Sequence, residues 1–350
     1  MKERQQPMIK KRWLFLFGIL LFLHFFQLPY YYSQPGHAKQ LESIIVVEDG
    51  YNEEEGSFML TTIRMGKANA FFYVWAHLSP YRNLYPEEQL RHEDETEEEY
   101  QQRQIQMMTD SQEVAKIVAY EKAGKQVDYE YHGVLVSSFI EGMPAEKLLE
   151  PGDRVLQVDG KKVLTAEAFM SELQGKTASD SVKLMVLRDN REIEVELGFA
   201  SFPESMGVSD ERVGVGIRSP ITDRDVTFQP KVEIDTSEIG GPSAGLMFAL
   251  EIYNQLVEKD ITKGYEIAGT GTINEQGEVG RIGGAAQKVI AADKAGADYF
   301  LAPNEKGAPT SNYQEALEAA KDTNSTIKVI PIDTFEEALD FLESLPNKAT

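Results

Sequence analysis

Ser243 stands between two glycines in Gly241-Pro242-Ser243-Ala244-Gly245, and Lys288 follows 45 residues later. The lysine is embedded in Gly283-Gly284-Ala285-Ala286-Gln287-Lys288-Val289-Ile290-Ala291-Ala292. A serine hydroxyl is a weak nucleophile until a neighbouring base removes its proton. These residues suggest a nucleophilic Ser243 with Lys288 as that base, the chemistry of peptide-bond hydrolysis.

Histidine is the usual base, and chain order argues against it. The Gly-x-Ser-x-Gly pattern fits the strand-to-helix nucleophile turn of α/β-hydrolases, where a histidine follows the serine. Here His24, His37, His77, His92 and His132 all precede Ser243. An order with histidine first stays open, although His77, His92 and His132 have no supporting context.

Lysine suits the task only if its environment lowers its pKa. A free lysine titrates near about 10.4 and is protonated at neutral pH. Catalytic lysines are brought to roughly 7–8 by burial among apolar groups. On a helix the neighbours of Lys288 are Gly284, Ala285, Ala291 and Ala292, small residues that admit close packing. Lys294 shares its face with Gln287 and Asp298 and reads as solvated. Pro242 suits a first helical turn, so the N–H groups around Pro242 and Ala244 are candidates for holding an oxyanion. The Ser325-Thr326-Ile327-Lys328 run leads into Val329-Ile330-Pro331-Ile332, which reads as a strand, and is a chance Ser-x-x-Lys.

These elements sit in a chain of 350 residues with net charge −22 and no cysteine. The charge argues against a nucleic-acid partner. The missing cysteine excludes disulfides and thiol catalysis and suits an exported protein. No metal-ligand pattern is present; the acidic stretch His92–Glu99 lacks EF-hand spacing and reads as solvated. No Gly-x-x-x-x-Gly-Lys-Ser/Thr loop occurs, so neither ATP nor another cofactor is expected. Residues 1–12 form a basic tail before an apolar run from Trp13. With Tyr30-Tyr31-Tyr32 as an aromatic belt, 13–32 is expected to span the cytoplasmic membrane once, N-terminus inside. A cleaved signal peptide is the alternative. Residues 44–48, 58–63 and 71–78 collect β-formers, and 97–123 reads as a helix.

Gly-Pro-Ser-Ala-Gly, Thr270-Gly271, Ile282-Gly283-Gly284 with Lys288, Ala291-Ala292 and Ala295-Gly296 together resemble the proteolytic domain of Lon proteases. The resemblance covers about residues 205–346. It implies Ser243 as nucleophile, Lys288 as general base and Thr270 beside them to orient the lysine. It also implies a homo-oligomer, hexameric in the family, although no residue in the sequence requires one. Lon enzymes often carry an acid three residues before the serine, where this chain has Gly240. The phrase Gly56-Ser57-Phe58-Met59-Leu60-Thr61-Thr62 resembles the start of membrane-anchored bacterial Lon-like proteases. Residues 40–125 are therefore expected to be part of the protease domain or packed on it.

Residues 126–200 resemble a PDZ domain, through Met143-Pro144-Ala145, Gly152-Asp153 and Val158-Asp159-Gly160. The resemblance implies a peptide-binding groove with His132, Gly133, Val134 and Leu135 as its carboxylate loop; a groove closed by its own chain is the alternative. The expected fold class is α+β, with a transmembrane helix and a β-rich PDZ domain inserted before a Lon-type α/β domain. The expected function is an ATP-independent endopeptidase that cleaves small exported or membrane-tethered polypeptides. A non-catalytic PDZ adaptor or holdase is the alternative, and an esterase using the same dyad a third.

Overall fold

The structure, a computed structural model, describes residues 13, 15, 17–18, 23, 25–53, 55–91, 95–203, 212–236 and 239–349. The chain divides into two compact units, one of Met1–Gln126 with Phe228–Thr350 and the other of Val127–Thr227.

The first unit begins with β1 (Gln27–Gln40) and β2 (Ser57–Asn69), then α1 (Ala70–His77), β3 (Asn83–Pro86) and α2 (Glu97–Lys122). Tyr30–Tyr32 do not end a membrane span, because they alternate in and out along β1. Tyr31 is buried, with its hydroxyl on Glu97. The basic tail 1–12 and most of the run from Trp13 lie outside the described residues. No helix among the described residues is long and apolar enough to cross a membrane.

Residues 71–77 are helical rather than extended, with Leu78 as the C-cap. The Asn69 side chain accepts the Phe72 N–H at 2.9 Å, and this N-cap overrides the β-preference of Phe-Phe-Tyr-Val-Trp. The described end of the acidic stretch starts α2. Thr96 and Glu99 form a reciprocal capping box, and Glu97–Glu99 oppose the positive end of the helix dipole.

The second unit contains β4 (Gln126–Leu135), β5 (Arg154–Val158), α3 (Ala166–Leu173), β6 (Ser181–Arg188) and β7 (Arg191–Gly198). It continues past residue 200 with β8 (Val213–Gly214), β9 (Ile217–Arg218) and β10 (Ile221–Gln229), as far as Thr227. Its main sheet has the order β7-β6-β5-β4-β10. Asp189 and Asn190 both take positive φ, the two-residue turn that matches the twist of β6 and β7. Val134, Val155, Phe169, Leu184 and Leu197 fill the core.

The chain then returns to the first unit with α4 (Gly245–Leu256), β11 (Glu266–Gly269), α5 (Ala285–Lys294) and β12 (Tyr299–Pro303). It finishes with α6 (Asn312–Asp322), β13 (Lys328–Ile332) and α7 (Phe335–Ser344). Lys328 opens β13, so the Ser-x-x-Lys run leads into a strand. The six-stranded sheet has the order β13-β12-β11-β2-β1-β3. β2, β11, β12 and β13 pair in parallel, while β1 is antiparallel to both its neighbours. Strands from before and after the second unit thus share one sheet, and α5 and α6 serve as the crossovers that parallel strands require. Ala268, Val289, Ala292 and Phe300 are buried between the sheet and these helices.

Phe300 has no exposed surface. Phe300→Ala should lower unfolding free energy by about 3–5 kcal/mol, read from a shifted denaturant midpoint.

Candidate active site

Three chain segments converge on Ser243. Gly241 N–H donates to the Gln104 carbonyl of α2 at 2.8 Å, and the Ser111 hydroxyl donates to the Pro242 carbonyl at 3.0 Å. The turn before the serine is therefore held by α2, more than a hundred residues upstream. Gly241 has φ +88°, which side-chain-bearing residues rarely adopt. A Cβ on Gly240 would lie 3.0 Å from the Cβ of Gln104. A side chain there would crowd Gln104, which would have to give by a few tenths of an ångström, a physical reason for the glycine.

The helix after this turn starts at Gly245 with Ala244 as its cap, so Pro242 is not in its first turn. Proline has no N–H, and Pro242 cannot serve an oxyanion directly. The Ser243 and Ala244 N–H groups have no acceptor among the described residues.

Thr270 follows β11 and is tied to both neighbours. Its N–H donates to the Leu301 carbonyl at 3.0 Å, and the Gly271 N–H donates to the Ser243 carbonyl at 2.9 Å. The Thr270 hydroxyl also donates to that carbonyl, at 2.9 Å. Lys288 comes from α5, whose cap Gly284 has φ +77°. Its Nζ lies 2.6 Å from Ser243 Oγ and 2.9 Å from Thr270 Oγ1.

The proton arrangement follows from these bonds. Thr270 spends its single hydroxyl hydrogen on the Ser243 carbonyl, so toward Lys288 it can only accept. A neutral amine then gives one N–H to Thr270 and can turn its lone pair to the serine hydroxyl. Lys288 is 2% exposed, and burial lowers its pKa to about 7. At neutral pH a substantial fraction is therefore unprotonated and able to accept a proton. Lys294 on the same helix is exposed.

The dyad opens on a cavity of about 720 Å³ lined by Thr61, Arg64, Met65, Met108 and Ile239, among others. The ladder between β2 and β11 stops at Leu60 and Gly269. Beyond it, Thr61–Met65 have β1 on one side and the cavity on the other.

In the second unit, His132, Gly133, Val134 and Leu135 do not form a loop. They end β4, where Val134 and Leu135 pair with Val155 and Arg154, and Val134 is wholly buried. His132 Nε2 lies 2.9 Å from Asp225 Oδ2 on β10. Gly133 has φ +138°, and a Cβ there would meet the Val155 carbonyl at 2.6 Å, so this glycine serves strand packing. The concave feature is elsewhere, a cavity of about 320 Å³ between Phe169, Met170 and Leu173 of α3 and the segment Val213–Ile217. Its sequence signal is the alternating run Val213-Gly214-Val215-Gly216-Ile217, which lies past residue 200 and outside the expected domain. A Cβ on Gly216 would meet Met143 at 2.3 Å, and one on Gly214 would meet the Phe202 ring at 2.6 Å.

Comparison with known proteins yields domain-sized matches. Residues 232–343 match the Lon protease (S16) C-terminal proteolytic domain, and residues 106–198 match the PDZ domain. The latter match starts inside α2, whereas the compact unit starts at Val127. The chain is 32% identical over 102 residues to the Lon protease of Mesomycoplasma hyopneumoniae (strain 232), covering 29% of this chain and 11% of that protein. It is 34% identical over 100 residues to the Lon protease of Campylobacter concisus (strain 13826), covering 28% and 11%. The shared stretch is thus about a tenth of these curated relatives. Among solved structures, the PDZ domain of the SdrC-like protein from Listeria monocytogenes is 23% identical, over 25% of this chain and 87% of that one, with TM-score 0.22.

Burial of Lys288 has a measurable consequence. An unfolded lysine keeps its proton to about pH 10.4, whereas folded Lys288 loses it near 7. Between those values the unfolded chain binds more protons, so stability rises with pH. The melting temperature of Lys288→Met minus that of the wild type should therefore shrink as pH rises from neutrality toward about 10.

Proposed function

We propose that this chain is an ATP-independent serine endopeptidase working through a Ser243–Lys288 dyad. The observation that carries the reading is the 2.6 Å approach of a buried lysine amine to the serine hydroxyl. The matches to a Lon-type proteolytic domain and a PDZ domain support a protease.

In the proposed reaction neutral Lys288 takes the Ser243 proton as Oγ attacks the scissile carbonyl. The Ser243 and Ala244 N–H groups receive the oxyanion. The lysinium then protonates the leaving amine, and Lys288 next activates a water that hydrolyses the acyl-enzyme. Thr270 is a positioning residue that fixes the amine. An extended substrate can add as a strand along Thr61–Met65, where β2 has no partner on the cavity side among the described residues. No nucleotide-binding loop occurs in the sequence, which favours unstructured segments as substrates. The cavity beside α3 is the reading for peptide capture by the second unit, and a homo-oligomer follows from the family resemblance.

The basic residues Lys2, Arg4, Lys10, Lys11 and Arg12 before the apolar run support an anchored protein. By the excess of positive charge on the cytoplasmic side, the catalytic unit lies outside the cytoplasmic membrane. Small exported or membrane-tethered polypeptides are the substrate class this arrangement suits.

Incubation with a disordered protein and no nucleotide, read by mass spectrometry, tests the dyad. Ser243→Ala and Lys288→Ala should each lose at least about 10³-fold in cleavage rate. Survival of cleavage in both variants would overturn the assignment. For the wild type, kcat/KM should rise through about pH 7 and level off above it, because the neutral amine is the active form. Thr270→Val should lower kcat more than it raises KM and move that rising limb.

Met170 is 49% exposed at the edge of the second cavity. Met170→Glu should weaken binding of a peptide with an apolar C-terminal residue by about tenfold, measured by calorimetry, with the melting temperature unchanged.

A further inference from the structure

α1 carries its apolar residues on the outside. Phe71 is 60% exposed, Val74 58%, Trp75 38% and Leu78 78%. Their spacing of i, i+3, i+4 and i+7 puts them on one helical face. Ala76 is the buried residue of the helix. The opposite side is fixed to β1: the Phe72 ring stacks on Tyr32 with centroids 4.2 Å apart, and Tyr73 meets Tyr30 edge-on at 5.3 Å. The Arg82 guanidinium lies 3.8 Å over the Trp75 ring. α1 contains no acidic residue, in a chain of net charge −22.

The position of this face in the chain indicates what covers it. Tyr30 and Tyr32, which hold the helix, lie just after the apolar run from Trp13 to Leu28. The polypeptide leaving that run therefore enters the fold at α1, whose outer face carries Phe71, Val74, Trp75 and Leu78. Tyr30–Tyr32 are committed to packing and cannot supply an aromatic belt, whereas the α1 face offers aromatic and aliphatic groups at that point. Tryptophan and phenylalanine beside a basic group are suited to the boundary between lipid headgroups and acyl chains.

We propose that the exposed face of α1 docks onto the bilayer surface; this rests on the anchored reading above. β2 connects the two sites directly, since Thr61–Met65 line the candidate cleft and Asn69 caps α1. Asn69 lies four steps along the strand from Met65, a span of about 13 Å. Docking through α1 holds the Ser243 cleft close to the membrane, where the stems of membrane-tethered polypeptides emerge.

The chain contains two tryptophans, Trp13 and Trp75, which allows each position to report separately. Full-length Trp13→Phe and Trp75→Phe proteins are reconstituted in phosphatidylcholine–phosphatidylglycerol vesicles whose acyl chains are brominated near the headgroup. Docking predicts about twofold quenching of Trp75 emission by these lipids and protection from aqueous iodide. Phe71→Ser with Leu78→Ser should reduce that quenching and leave cleavage of a soluble disordered protein unchanged. If Trp13 is quenched and Trp75 is not, α1 stands off the bilayer, and the docking proposal falls while the anchor survives. If neither is quenched, both fall. Trp75 shielded from iodide but untouched by brominated lipid means that protein, such as a second copy, covers the face, and this also overturns the proposal.

Discussion

An amine withdrawn almost wholly from solvent at the edge of a cavity is the constraint on which the rest of the site depends. Lys288 is 2% exposed, and an ammonium in that position would lose its hydration. The fold responds by lowering the pKa and by giving the nitrogen two hydroxyl partners, Ser243 and Thr270. Both partners must be held at hydrogen-bonding distance, or the amine is left unsatisfied. The serine turn, the end of β11 and α5 are therefore positioned relative to one another by the same group that performs the proposed chemistry.

The bonds that hold the partners are mostly main-chain bonds. Ser243 offers its carbonyl to both the Gly271 N–H and the Thr270 hydroxyl, while α2 grips the turn through Gln104 and Ser111. Glycines stand where these segments come closest. A Cβ on Gly245 would meet Ser111 Oγ at 2.8 Å, and one on Gly269 would meet Met247 Sδ at 2.5 Å. The preorganisation of the dyad is a property of the packed backbone as much as of the three side chains.

The same sheet carries an apolar outer face. β2 passes from the candidate cleft to the N-cap of α1, so the proposed chemistry and membrane contact are two ends of one strand. The second unit has its own core and its own cavity, with Gly214 and Gly216 allowing close approach of Phe202 and Met143. Peptide capture, peptide cleavage and surface attachment are in this reading carried by separate elements of one chain.

The sequence alone determined the pieces whose signal is local. The Gly-Pro-Ser-Ala-Gly turn and the small-residue helix around Lys288 could be read from residue types and spacing, while Thr270 came only from the resemblance to Lon proteolytic domains. The helix read over 97–123 likewise follows from its periodicity, and the structure has it over Glu97–Lys122. What the sequence did not show depends on partners distant in the chain. Residues 71–77 have β-forming side chains, yet one side-chain bond from Asn69 makes them a helix. Tyr30–Tyr32 look like an interfacial belt until β1 turns Tyr31 inward against Glu97. Pro242 reads as a helix start, but the helix begins at Gly245. The PDZ resemblance implied a carboxylate loop at His132–Leu135, whereas Gly133 lets β4 approach β5 closely enough to pair. Tertiary structure decided these cases because β-pairing and burial join residues through space, and their energies exceed the fraction of a kcal/mol by which local propensities differ.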